Sequence, residues 1–108
     1  MSEKDPVTMG MNMKAIQQMQ MRLEKIQREL GETEVEGSAG GGVVVAKVTG
    51  QKEFVSIKID PSAVDPDDVE MLEDMINAAV TDAMTKAGAL MEQQMGALTG
   101  GLKIPGLS

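Results

Sequence analysis

Two runs rich in β-branched residues, Val43-Val-Val-Ala-Lys-Val48 and Phe54-Val-Ser-Ile-Lys-Ile59, stand close together in the middle of the chain. They are separated by Gly50-Gln51 and preceded by Thr33-Glu-Val-Glu-Gly37 and a cluster of small residues, Ser38 to Gly42. Alternating apolar runs joined by turn residues predict an antiparallel meander of three strands, Thr33–Gly37, Val43–Val48 and Glu53–Asp60. On either side the apolar spacing is helical. The class that follows is α+β, with the order helix, three strands, helix.

The first helix is expected from Asn12 to Leu30. Ile16, Met19, Leu23, Ile26 and Leu30 recur at intervals of three and four residues, which makes a narrow seam. Gly31 is the expected stop. Lys14, Arg22, Lys25 and Arg28 gather within roughly a third of the circumference opposite that seam, at about 100° per residue. Such a face is usually no more than a solvated surface. The second helix is expected from Pro66 to about Leu98, with Asp65 as its N-cap and Pro66 in its first position. Val69, Leu72, Ile76, Ala79, Val80, Ala83, Ala87 and Leu90 form its apolar stripe. At roughly 50 Å it would outrun the sheet, so its C-terminal half needs the first helix or a symmetry mate. A single domain over 12–98 is thus expected, with a flexible lead-in at 1–11 and a flexible or docking tail at 99–108.

Composition narrows what such a domain can do. Of 108 residues 42% are apolar, yet Phe54 is the single aromatic and eleven are Met. A small aliphatic core filled by flexible Met specifies packing poorly and gains from a second subunit, so obligate dimerisation is expected. The absence of Cys and His removes disulfides, thiolate nucleophiles, imidazole bases and the common transition-metal ligands. Catalysis would have to rest on a carboxylate pair, a Lys or a hydroxyl, so no enzyme, cofactor or small-molecule substrate is expected. Met1 to Thr8 lack a signal-peptide pattern, and no apolar run approaches the roughly 20 residues of a membrane helix. A cytoplasmic location is the expectation.

The net charge of -7 speaks against phosphate binding, but its distribution weakens the objection. Eight acids (Asp60, Asp65, Asp67, Asp68, Glu70, Glu73, Asp74 and Asp82) lie in one stretch with no Lys or Arg, so the remainder is near neutral. Helix capping explains this cluster better than a calcium loop, whose central Gly and alternating ligands are missing. The glycine cluster has two readings, a phosphate cradle or a hairpin loop. Gly40-Gly-Gly42 leads into a strand, whereas a phosphate loop leads into a helix, and this favours the hairpin loop.

The conjunction of these elements resembles the YbaB/EbfC family of bacterial nucleoid-associated proteins. The likeness rests on Val35-Glu-Gly37, Gly40-Gly-Gly-Val43, Val55-Ser-Ile-Lys-Ile-Asp-Pro61, Leu72-Glu-Asp-Met-Ile-Asn-Ala-Ala79 with Asp82-Ala83, and Ile104-Pro-Gly106. It implies a tweezer-like homodimer of α-β-β-β-α subunits that binds double-stranded DNA in the nucleoid and takes part in nucleoid organisation or gene regulation. It also implies DNA contacts from charged positions on projecting helices, here Lys14, Arg22, Lys25 and Arg28, and Lys86 of the second helix. A different class of function is an adaptor for replication or recombination proteins, docking through Met9, Met11, Met13, Met21, Met91 and Met95.

Overall fold

A computed structural model describes residues 6–99. The elements are α1 (Pro6–Glu32), β1 (Glu34–Ala39), β2 (Val44–Thr49), β3 (Phe54–Ile59), a short 3-10 turn (Pro61–Ala63) and α2 (Val69–Thr99). This is the α-β-β-β-α order expected. The three strands form one antiparallel sheet with β2 at its centre. The principal extents of 74 × 28 × 20 Å show a molecule drawn out along its helices.

Several boundaries differ from the sequence expectation. α1 begins at Pro6, so the segment 6–11 expected to be a loose lead-in is helical; Pro is pre-organised for the first position of a helix. Residues 1–5 and the tail from 100 onward lie outside the described residues. At the other end α1 passes through Gly31 to Glu32, because its last carbonyls find partners nearby. The Thr33 hydroxyl donates to Glu29 C=O at 2.7 Å, Gly50 N–H donates to Leu30 C=O at 2.8 Å, and Gln51 Nε2 donates to Gln27 C=O. β1 runs two residues further than expected, to Ala39, since Ala39 pairs with Val44 and Ser38 with Val45.

α2 starts at Val69, three residues later than expected. Asp65 takes the Asp67 N–H at 2.9 Å and its carbonyl takes the Asp68 N–H, which closes a turn with Pro66 at its second position. Asp68 then caps the helix by accepting Met71 N–H at 3.1 Å. Gly40, Gly41 and Gly42 have φ of 63°, 73° and 98° and turn β1 into β2, so the cluster is a hairpin loop.

The core lies where α2 crosses β1 and β2. Val44, Ala46 and Val48 from β2 and Ala79, Ala83 and Ala87 from α2 are fully buried. Alanine at every fourth position presents a smooth stripe, and the stripe rests on Gly37. A Cβ there would lie 2.2 Å from Ala83 N and 2.4 Å from Ala79 O. The other sheet face is polar, with Lys47 paired to Glu34 at 3.4 Å and Glu36 at 3.7 Å.

The outer edge of β1 is closed by the same helix. Asp82 accepts the Ser38 N–H at 3.1 Å, and Lys86 donates to Glu36 C=O at 3.3 Å while it pairs with Asp82 at 3.2 Å. β3 is left outside this cover. In the register between β2 and β3, Lys47 faces Ser56 and Val48 faces Phe54, so Val55 is a bulge. Phe54 is 58% exposed and Val55 41%.

Two outcomes are expected. Gly37→Ala forces α2 away from β1 and lowers the unfolding free energy by about 3 kcal/mol or more, as read by urea denaturation. The Ser38 N–H, with help from Lys86, holds the Asp82 carboxyl below its ordinary value of 3.8. A depressed folded value means the stabilisation is complete above the unfolded value and lost as pH falls through the folded one. Asp82→Asn is therefore expected to lower the urea midpoint at pH 7, with the gap to the parent protein closing below about pH 4.

Candidate nucleic-acid interface

The two helices meet away from the sheet. α1 runs back from its anchor at Leu30 and α2 runs outward from Val69, so the N-terminal part of one and the C-terminal part of the other form a single projecting arm. Arg22, Lys25, Ile26 and Glu29 of α1 face Ala97 and Leu98 of α2 around a shallow hollow of about 310 Å³. Among the described residues, only α1 continues beyond that level. The seam that is buried at Leu30 opens progressively toward the tip, and Ile16 is 54% exposed.

The cations expected on this helix are all at its surface. Lys14, Arg22, Lys25 and Arg28 are exposed, and none has an ion pair among the described residues. Their ammonium and guanidinium groups are therefore available to an anion without first breaking an internal contact. Arg22 and Lys25 stand closer to α2 than a face opposite the seam implies, since both line the hollow. Arg22 flanks the seam at about 80° from its centre, near enough for its long stem to reach the neighbouring helix.

Lys86 is placed differently from the other four. It sits where α2 crosses β1, and its ammonium is engaged by Asp82 and by Glu36 C=O. Its charge is spent on closing a sheet edge. Sequence spacing gives no sign of this, because Asp82 and Lys86 look like an ordinary i, i+4 surface pair.

Two exposed cations, Lys52 and Lys58, stand outside the set expected from the sequence, and Lys52 is the one near the arm. Lys52 lies in the β2–β3 turn, at the root of the arm, and has no ion pair among the described residues. Its only sequence signal is a Lys where a hairpin loop commonly carries Gly or Asn.

The clustered acids are elsewhere, while Glu24, Glu29 and Glu32 stand among the cations on α1. β3 carries the chain from Lys52, beside the arm, to Asp60 at the opposite end of the sheet, a run of roughly 20 Å. There Asp60 accepts Ser62 N–H at 2.8 Å, and Asp65 and Asp68 make the turn and cap already described. The Ser62 backbone and side chain hold the Asp60 carboxyl below its ordinary range. The eight clustered acids thus lie away from the arm tip, whereas α1 itself carries four cations and three acids. A second hollow, about 220 Å³, is lined by Gly42, Val43, Val45, Lys58, Ile59, Asp60 and Pro61 and gathers no group of like charges. Among the described residues no His, Cys, Asp or Glu side chains cluster to hold a metal ion, and no helix is long and apolar enough to cross a membrane.

Comparison with known proteins places this architecture. The chain is 55% identical over 95 residues to a nucleoid-associated protein of Alkaliphilus metalliredigens, covering 88% of this chain and 83% of the relative. It is 54% identical over 99 residues to a nucleoid-associated protein of Pelotomaculum thermopropionicum, covering 92% and 94%. The crystal structure of the uncharacterized protein HP0035 from Helicobacter pylori superposes with a TM-score of 0.75 at 19% identity, over 91% of this chain and all of that one, and shows a shared fold. The model of the YbaB/EbfC DNA-binding family matches residues 5–102, and the chain belongs to that family of bacterial nucleoid-associated proteins.

Proposed function

We propose that this protein binds double-stranded DNA as a homodimer, mainly through backbone phosphates, and thereby organises the nucleoid or regulates genes. The observation that carries the reading is the row Lys14, Arg22, Lys25 and Arg28, exposed and unpaired on an arm set apart from the acidic end. Unpaired cations exchange counterions for phosphate at little internal cost. Among the described residues no short-turn pair of helices offers a recognition helix, so binding is positioned by phosphates with little base readout. Lys86 contributes least, because its charge is already engaged.

Two features of the subunit support a dimer. The fully buried side chains are few and small, Val44 and Val48 being the largest, which leaves one chain short of apolar burial. The surface where more could be buried is β3 and its surroundings: Phe54, Val55, Val64, Val69 and Met71 are each 41–58% exposed. The edge of β1 is blocked by Asp82 and Lys86, whereas among the described residues nothing hydrogen-bonds the outer edge of β3. An uncovered apolar edge strand is a template for another strand, and two-fold symmetry makes such a pairing antiparallel.

The exposed seam supports a second reading, an adaptor that docks replication or recombination proteins on an apolar helix. Met13 is 61% exposed and Met21 69%, while Met91 and Met95 are half-buried and the side chains of Met9 and Met11 lie outside the described part of the chain. Capture of partners that survives nuclease treatment would favour the adaptor.

With two or three cations per subunit reaching phosphates, log affinity falls against log salt with a slope of about -4 to -5. Reversing Arg22, Lys25 and Arg28 together to Glu is expected to abolish duplex binding in an anisotropy titration while the mass in solution is unchanged. Undiminished binding would show that the arm is not the contact surface. Placing Lys at both Phe54 and Val55 is expected to halve the mass seen by sedimentation and to weaken DNA binding with it.

A further inference from the structure

Lys52 is the one non-glycine residue with a positive φ among the described residues, at 69°. The turn it occupies demands that conformation. Thr49 N–H donates to Glu53 C=O and Lys52 N–H to Thr49 C=O, both at 2.8 Å, which closes a three-residue hairpin loop whose last position is left-handed. Gly or Asn enters that region with little strain, and a Lys does not. The loop is firmly built around this residue. The Thr49 hydroxyl oxygen accepts Gln51 N–H and Glu53 N–H at 3.1 Å each, and the Gln51 side chain ties the turn to α1 at Gln27, next to Arg28.

The side chain is positioned as well as the backbone. Its Cε and Nζ lie 3.4 Å from the place a Cβ would take on Gly88 of α2. The end of the Lys52 side chain therefore lies against α2 at Gly88, where a Cβ would touch it without a clash. The ammonium it presents is exposed and has no ion pair among the described residues. A strained backbone, a contact with the facing helix and an unspent charge converge on one residue at the root of the arm.

We propose that Lys52 is a phosphate contact at the base of the DNA-binding arm, held there by the left-handed turn and by its contact with α2 at Gly88. The inference rests on the reading that the arm binds duplex DNA. It predicts that stability and binding move in opposite directions. Lys52→Gly relieves the left-handed strain, so its Tm should rise, while each dimer loses two phosphate contacts. The salt slope is then expected to shrink in magnitude by about 1.8, and affinity near 0.1 M salt to fall on the order of ten-fold. Lys52→Arg should retain binding. A residue serving only the turn would give a higher Tm with an unchanged slope, and that result overturns the assignment. The Arg22, Lys25 and Arg28 reversal, titrated alongside with the same duplex, separates the two claims. If the reversal abolishes binding and Lys52→Gly does not alter it, the role of Lys52 alone is refuted. If neither alters it, or the parent protein binds no duplex, the arm reading falls and the Lys52 contact with it.

Discussion

The contact between the backbone of β1 at Gly37 and the alanine stripe of α2 is the one on which the rest depends. Helix and strand approach so closely that any side chain at Gly37 would overlap the helix backbone at Ala79 and Ala83. This approach buries Val44, Ala46 and Val48 under the same stripe, and it brings Asp82 and Lys86 to the free edge of β1. Had the helix carried larger residues at 79, 83 and 87, it would stand off from the sheet and neither hydrogen bond would form. The closeness also sets the direction in which α2 leaves the sheet, and so where the arm points.

A core made by close backbone approach is economical in atoms but poor in apolar area. Val and Ala bury little surface each, and the larger aliphatics, Leu72, Met75, Ile76, Val80 and Met84, are only half-covered. The fold therefore has an inside that is small and an outside that is still apolar around β3 and the start of α2. Such a fold would gain apolar burial from association, which is the physical reason a second subunit belongs to the proposed function.

Charge follows the same long axis. Acids collect where turns and a helix start need carboxylates to accept backbone N–H groups, as Asp60, Asp65 and Asp68 do. Lys14, Arg22, Lys25 and Arg28 lie on the arm without an ion pair among the described residues, alongside Glu24, Glu29 and Glu32. A net charge of -7 is thus compatible with an anion-binding surface, because the largest group of acids lies at the end of the molecule away from the arm. What a phosphate would meet is the local field of the arm, with the distant acids largely screened beyond about 10 Å at 0.1 M salt.

The order of the elements, the two-sided sheet, the glycine hairpin and the cations on α1 follow from the sequence alone, because periodicity and turn chemistry are local. Val, Ile and Thr alternation needs no partner to be read as strand, nor does a 3-4 spacing need one to be read as helix. Other features needed the folded chain. Whether Asp65 or Asp68 caps α2 is decided by which N–H groups each can reach. That Lys86 is spent and Lys52 is not depends on residues 50 positions away in one case and 36 in the other, at Glu36 and Gly88. Local sequence sets which elements form and which charges each carries; only their packing decides which of those charges remain free to meet another molecule.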